Sequence, residues 1–181
     1  MNRRLGMTDK EVQMMLSESN EKLRVLFRKY RRKELRNKQG VVLIVDDMLE
    51  QQKILEEMAK VGSSSIKVKS VESVYDAKSV IRKLGINGIK IVIIDICLNG
   101  EYDGFQLIEW MSKHYPDVPY IVITGRLEKV DELKDRFPGA DILIKGQSTI
   151  NDYADAMGLP QDAGCNMIFP SDKRFDTVSS I

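Results

Sequence analysis

The spacing of hydrophobic positions changes at residue 40. Before it, positions 12, 16, 19, 23, 26 and 30 read Val, Leu, Ser, Leu, Leu and Tyr, the alternating four- and three-residue steps of a helical seam with one polar break. Thr8 with Glu11 three residues on has the pattern of a capping box, and neither Pro nor Gly interrupts the stretch from there to Gly40. One long helix over about residues 8–36 is predicted. From residue 41 short apolar runs alternate with helical periods. "VVLIV" (41–45), "IKVKS" (66–70), "KIVIID" (90–95), "YIVIT" (120–124) and "DILIK" (141–145) read as strands. Between them lie apolar residues at helical spacing: Leu55, Met58 and Ala59 within 49–61; Val74, Ala77, Val80, Ile81 and Leu84, stopped by Gly85; Leu107, Ile108 and Met111 within 104–114; and Leu127, Val130, Leu133 and Phe137. A last short helix is expected from Ser148 to about Met157.

Strand and helix alternating five times predict an α/β fold with a doubly wound, five-stranded parallel sheet. Periodicity leaves the order of the strands open. Three regions follow: a basic N-terminal helical extension (1–40), the α/β domain (41–157), and a loose C-terminal tail (158–181) in which Met167–Phe169 is expected to pin the chain to the body.

Composition narrows the class. The 181 residues are 43% hydrophobic and 30% charged, which suits one domain with appendages. No apolar run approaches the ~20 residues that span a bilayer, and the N-terminus lacks the apolar stretch of a secretory signal. Two cysteines, Cys97 and Cys165, make neither a disulfide framework nor a zinc site, so a cytoplasmic protein is expected. The single histidine, His114, closes a helix and reads as a surface residue. The net charge of +1 hides an asymmetry. Residues 1–40 hold 12 Lys and Arg against 5 Asp and Glu, and the remaining 141 hold 16 against 22. A basic arm precedes an acidic body.

In an open α/β sheet, ligands bind outside the carboxyl ends of the strands. Here the first strand ends in Asp46 and Asp47, the third in Asp95, the fourth in Thr124 and Gly125, and the fifth in Lys145. Each feature alone is weak, since an acid after a strand is most often a helix cap. Together they place three acids, a hydroxyl and an amine on one edge of the sheet. Adjacent carboxylates beside a core call for a positive partner, and a hard divalent cation such as Mg²⁺ suits three oxygen ligands. The same set has the parts for phosphoryl transfer to a carboxylate. An Asp can attack phosphorus, while a metal ion and an ammonium neutralise the phosphoryl oxygens.

With "LIVDD", "IVIIDICLNGEYDG", "IVITGR" and "ILIKG" in this order, residues 41–157 resemble the receiver domain of a two-component response regulator of the chemotaxis-regulator-like kind. The spacings agree with the family: 48 residues from Asp47 to Asp95, 29 more to Thr124 and 21 more to Lys145. The resemblance implies the flavodoxin-like strand order 2-1-3-4-5. It implies Asp95 as phosphoacceptor, Asp46, Asp47 and Asp95 as the Mg²⁺ site, Thr124 as the switch hydroxyl and Lys145 as the phosphate contact. It also implies a histidine kinase or phosphotransfer protein as donor and a downstream protein as target. Such a protein phosphorylates and dephosphorylates itself at most, and is no metabolic enzyme. Two departures bear on mechanism. Gly146 stands where the family usually has Pro, and Ile142 where it often has the aromatic residue that rotates on activation. Cys97, two residues after Asp95, occupies a position that in the family modulates phosphate lifetime, with core packing as the plainer reading.

Two other classes compete. One is a receiver-like interaction module that uses no phosphate; the complete set of five residues argues against it. The other is a nucleic-acid or membrane-surface binder working through "RKYRRKELRNK" (28–38). That segment can meet phosphates without sequence preference, but no helix-turn-helix or zinc module accompanies it. Sequence-specific DNA binding is therefore not expected, and signalling by protein–protein contact without a DNA-binding output domain is. An aspartyl phosphatase would need an acid where Cys97 stands. The apolar seam of the N-terminal helix must fold back, meet a protein partner, or pair in a homodimer.

Overall fold

The computed structural model describes residues 22, 32–61, 66–99 and 103–159. Apart from Lys22, which is helical, the predicted helix before residue 32 lies outside the described residues, as does the tail beyond 159. No described helix is long and apolar enough to cross a membrane.

The elements run β1 (Val41–Val45), α1 (Leu49–Val61), β2 (Lys67–Val71), α2 (Val74–Gly88), β3 (Ile89–Asp95), α3 (Asp103–His114), β4 (Tyr120–Thr124), α4 (Val130–Arg136, entered through a 3₁₀ turn at Leu127–Lys129), β5 (Asp141–Ile144) and α5 (Ile150–Ala156). All strand pairs are parallel, and the order is β2-β1-β3-β4-β5, the order that the resemblance implies. The chain leaves β1 for β2 on one side, then crosses to β3 on the other. That reversal opens a crevice at the carboxyl ends of β1 and β3.

Successive strand residues point to opposite faces, and both faces are covered. Leu43, Val45, Val92, Ile94 and Val122 pack with α2, α3 and α4. Val42, Ile44, Ile91, Ile93, Ile121 and Ile123 pack with α1 and α5. This is why the strands read as continuous apolar runs instead of alternating ones. All seven residues of β3 are buried. At the edge, β2 exposes Lys67 and Lys69, charges that discourage pairing with another chain.

The helices follow local chemistry. Ser73 caps α2, its Oγ accepting the Asp76 N–H at 3.1 Å. Thr149 and Asp152 form a reciprocal capping box at α5. Two predicted details differ. The helix expected to stop at Gly85 resumes beyond it: Gly85 takes φ +65°, and one more helical turn leads to Gly88. Leu127 does not share the buried face of Leu133 and Phe137 but is half-exposed, because it belongs to the 3₁₀ turn, whose three-residue repeat shifts the face.

The N-terminal extension reaches the body through its last turns. Residues 32–37 are helical, and Leu35 is 1% exposed within the core beside α1 and α5. Lys90, the second residue of β3, is also buried. Its ammonium donates to the carbonyl oxygens of Leu35 and Lys38, the latter at 3.1 Å. A cation thus meets the carbonyl end of a helix, where the backbone dipoles favour it. Burial and the neighbouring Lys38 charge push the Lys90 pKa down. Arg32 bridges Asp141 at the start of β5, at 3.0 Å, and Asp155 on α5. Gly158, at φ +66°, follows α5, and a Cβ there would sit 2.7 Å from the Leu35 Cβ. Gly158 and Leu159 are buried, so packing continues past residue 157.

Leu35→Ala is expected to lower the unfolding free energy by about 2–4 kcal/mol, as for other fully buried leucines. Urea denaturation measures it. A loss below about 0.5 kcal/mol, the range of surface substitutions, would mean that these turns are not part of the cooperative unit.

Candidate phosphoryl-acceptor and metal site

The site stands at the crevice between β1 and β3. Asp46 follows the last residue of β1 and is 1% exposed. Its backbone N–H donates to the Val71 carbonyl, its carbonyl accepts from Gln52 Nε2 at 2.6 Å, and its Oδ1 accepts the Met48 N–H at 2.9 Å. Asp47 is half-buried, and its Oδ2 accepts the Asn99 N–H at 2.9 Å. Asp95 closes β3 at 4% exposure, and its Oδ1 accepts the Cys97 N–H at 3.1 Å. Thr124 closes β4 and is fully buried. Its Oγ1 accepts the Arg126 N–H at 2.9 Å, which leaves the hydroxyl proton free to donate elsewhere.

Lys145, just past β5, ties the group together. Its Nζ donates to Asp95 Oδ2 at 2.6 Å and to Asp46 Oδ2 at 3.0 Å. The positive partner that the adjacent acids demand is therefore in part the protein's own lysine. Three carboxylates still face one ammonium. Burial holds the Asp95 pKa above the ordinary aspartate value; Lys145 opposes this and the Asp46 charge reinforces it. Burial pulls Lys145 down, but the charges of Asp95 and Asp46 and their hydrogen bonds outweigh it, and its pKa lies above the ordinary lysine value.

Oxygen atoms of Asp46, Asp47 and Asp95 lie within 4.8 Å of one another. A hard, oxygen-only donor set of this size fits a small divalent cation that completes its shell with water. The structure brings together Asp46, Asp47, Asp95 and Lys145, and it places Thr124 at the end of the strand beside that of Asp95, its carbonyl accepting the Lys145 N–H. It adds groups that pattern reading missed: the backbone N–H groups of Met48, Cys97 and Asn99, and the Gln52 amide. Asn99 takes φ +52°, and an Asn before a Gly was the one signal of such a turn. Cys97 contributes its backbone to Asp95, and its thiol is half-buried. The bond from Lys145 to Gly146 is trans, and Gly146 takes φ +79°, a conformation closed to the Pro usual there. Ile142 packs half-buried against the core.

The response regulator receiver domain family matches residues 42–152. The chain belongs to this family. A receiver is the part of a response regulator that works in two-component signalling, and its family generally meets histidine kinases and downstream targets. Solved structures agree on the fold. A response regulator receiver domain from Clostridium thermocellum aligns with TM-score 0.56 and 19% identity over 68% of this chain and 93% of its own. A CheY-like receiver from Methanospirillum hungatei JF-1 aligns with TM-score 0.51 and 21% identity over 63% and 86%. A sensor protein from Polaromonas sp. JS666 gives 0.53 and 16% over 65% and 95%. Among curated proteins, none matches this receiver.

The raised Asp95 pKa means that its ionised form is disfavoured by the fold. Stability is gained as pH falls through the folded pKa and is given up above it. In a chelating buffer at neutral pH, Asp95→Asn is therefore expected to unfold at a higher temperature than the wild type, by ~3 °C if the ionised group costs about 1 kcal/mol. Millimolar Mg²⁺ should raise the wild-type midpoint and leave that of the variant nearly unchanged. Equal responses to Mg²⁺ would separate Asp95 from the metal.

Proposed function

We propose that this receiver accepts a phosphoryl group on Asp95 in a Mg²⁺-dependent reaction and signals by protein–protein contact. The observation that carries the reading is the bridge from Lys145 to Asp95 and Asp46 beside a third carboxylate, with Thr124 buried at the end of the neighbouring strand. An Asp95 oxygen attacks phosphorus, the new O–P bond forms, and the bond from phosphorus to the donor breaks. The donor departs with the electron pair. Asp46, Asp47 and Asp95 would hold Mg²⁺, which when bound draws charge from the phosphoryl oxygens. Lys145 already touches the accepting carboxylate and exchanges that contact for a phosphoryl oxygen. Thr124 lies on the strand beside Asp95 and turns its free O–H to another oxygen. The donor is a histidine kinase, a phosphotransfer protein or a small acyl phosphate. With Ile142 in place of an aromatic residue, the response runs through Thr124 and the loops after β4 and β5.

Acetyl phosphate with Mg²⁺ is expected to add one phosphate to the wild type, by intact mass, and none to Asp95→Asn or in the presence of a chelator. Thr124→Ala and Lys145→Ala should keep the wild-type circular dichroism but lose the phosphorylation-dependent shift in amide spectra. Unchanged labelling of Asp95→Asn would reject the assignment, and a module that uses no phosphate would show no labelling at all.

A further inference from the structure

A groove of about 460 Å³ runs along the free edge of β5, on the side away from β4. Its walls carry Asp141, Asp152 and Asp155, with Lys134 at the rim. Lys134 already pairs with Asp131 on its own helix, at 3.3 Å. Asp141 is buried, and a buried carboxylate needs a partner. Among the described residues that partner is Arg32, which spans Asp141 and Asp155. Thr149 holds the Asp152 carboxyl below the usual aspartate value through its N–H and O–H, and the Arg32 charge adds to this. One guanidinium thus pairs with two carboxylates, and the third, Asp152, is held by Thr149. The Arg32 Nε–H is itself buried with no partner among the described residues.

The contacts also have a register. Leu35 lies against Gly158, and Arg32, three residues earlier, against Asp155, three residues earlier. The two segments therefore run side by side in the same direction. On α5 the next acid, one turn before Asp155, is Asp152. The stretch before Arg32 reads Arg28, Lys29, Tyr30, Arg31, three cations in four residues. They are tethered to a side chain already seated, so their local concentration at the groove is far above that of any separate partner.

We propose that the acidic groove between β5 and α5 is the seat of this chain's own basic segment, residues 28–31, with Arg28 and Lys29 set against Asp152 and Asp155. The segment is then held in cis, and an anionic surface must compete with three aspartates to engage it. The seat lies on the strand that leads to Lys145, so it is joined to the phosphoryl-acceptor end of the sheet by four residues of β5. The inference does not depend on phosphorylation.

Limited trypsin digestion of the full chain at low salt tests it, with initial cleavage rates after Arg28, Lys29 and Arg31 read by mass spectrometry. Cleavage is expected to be roughly three- to tenfold faster in Asp152→Asn/Asp155→Asn than in the wild type, the range for two partly exposed ion pairs. Asn retains the acceptor that caps α5, and circular dichroism checks the fold. Arg28→Glu/Lys29→Glu, altered only in the segment, should speed cleavage after Arg31 by a similar factor. Wild-type protection should be independent of protein concentration and should fade at high salt. Equal rates in wild type and both variants would overturn the proposal. Protection that grows with protein concentration would overturn it in favour of a second copy.

Discussion

The ammonium of Lys145, donating to Asp46 and Asp95, is the contact on which the active end of the molecule depends. It joins residues 99 and 50 positions apart in the chain and so draws together the carboxyl ends of β1, β3 and β5. Two carboxylates at 1% and 4% exposure are tolerable because this cation lies between them. Remove it and each would keep a backbone N–H donor, from Met48 or Cys97, but no opposite charge, a costly defect for a buried carboxylate. Yet one cation does not balance three acids. The remaining negative charge lies on carboxylate oxygens within 4.8 Å of one another, a donor set that suits a small divalent ion.

The other end of the sheet mirrors this arrangement with reversed signs. β3 carries buried Lys90 as its second residue and ends with Asp95, whereas β5 begins with buried Asp141 and leads to Lys145. Both opening charges are met by the N-terminal extension. Lys90 grips the carbonyl groups of Leu35 and Lys38, and Asp141 takes Arg32. The last turns of the extension are therefore built into the receiver through one core leucine and two strand-end charges. The strands that hold this segment at their first residues are the same two that end in Asp95 and lead to Lys145.

Most of the fold was legible because its sheet is buried on both sides. Five apolar runs separated by helical periods leave few alternatives, and acids and a lysine at their ends stand out against that background. The errors came where the local pattern has two readings. Gly85 read as a stop, but glycine also permits the left-handed residue that lets a helix bend and resume. Leu127 matched the helical spacing, but the 3₁₀ turn rotates it toward solvent. The burial of Lys90 and Asp141 leaves no mark in the spacing, since burial at a strand's first residues depends on what packs across them.

The sequence by itself determined the class of fold, the membership of the acidic constellation and the candidates for nucleophile, metal ligands and switch hydroxyl, because all of these follow from periodicity and from residue type at strand ends. Only the tertiary structure decided which carboxylates share Lys145, that Asp47 takes the Asn99 backbone instead, and that Arg32, Leu35 and Lys90 fasten the extension to the body. Those pairings join residues tens of positions apart. Each is set by the order in which parallel strands lie side by side, and hydrophobic spacing along one strand carries no record of its neighbours.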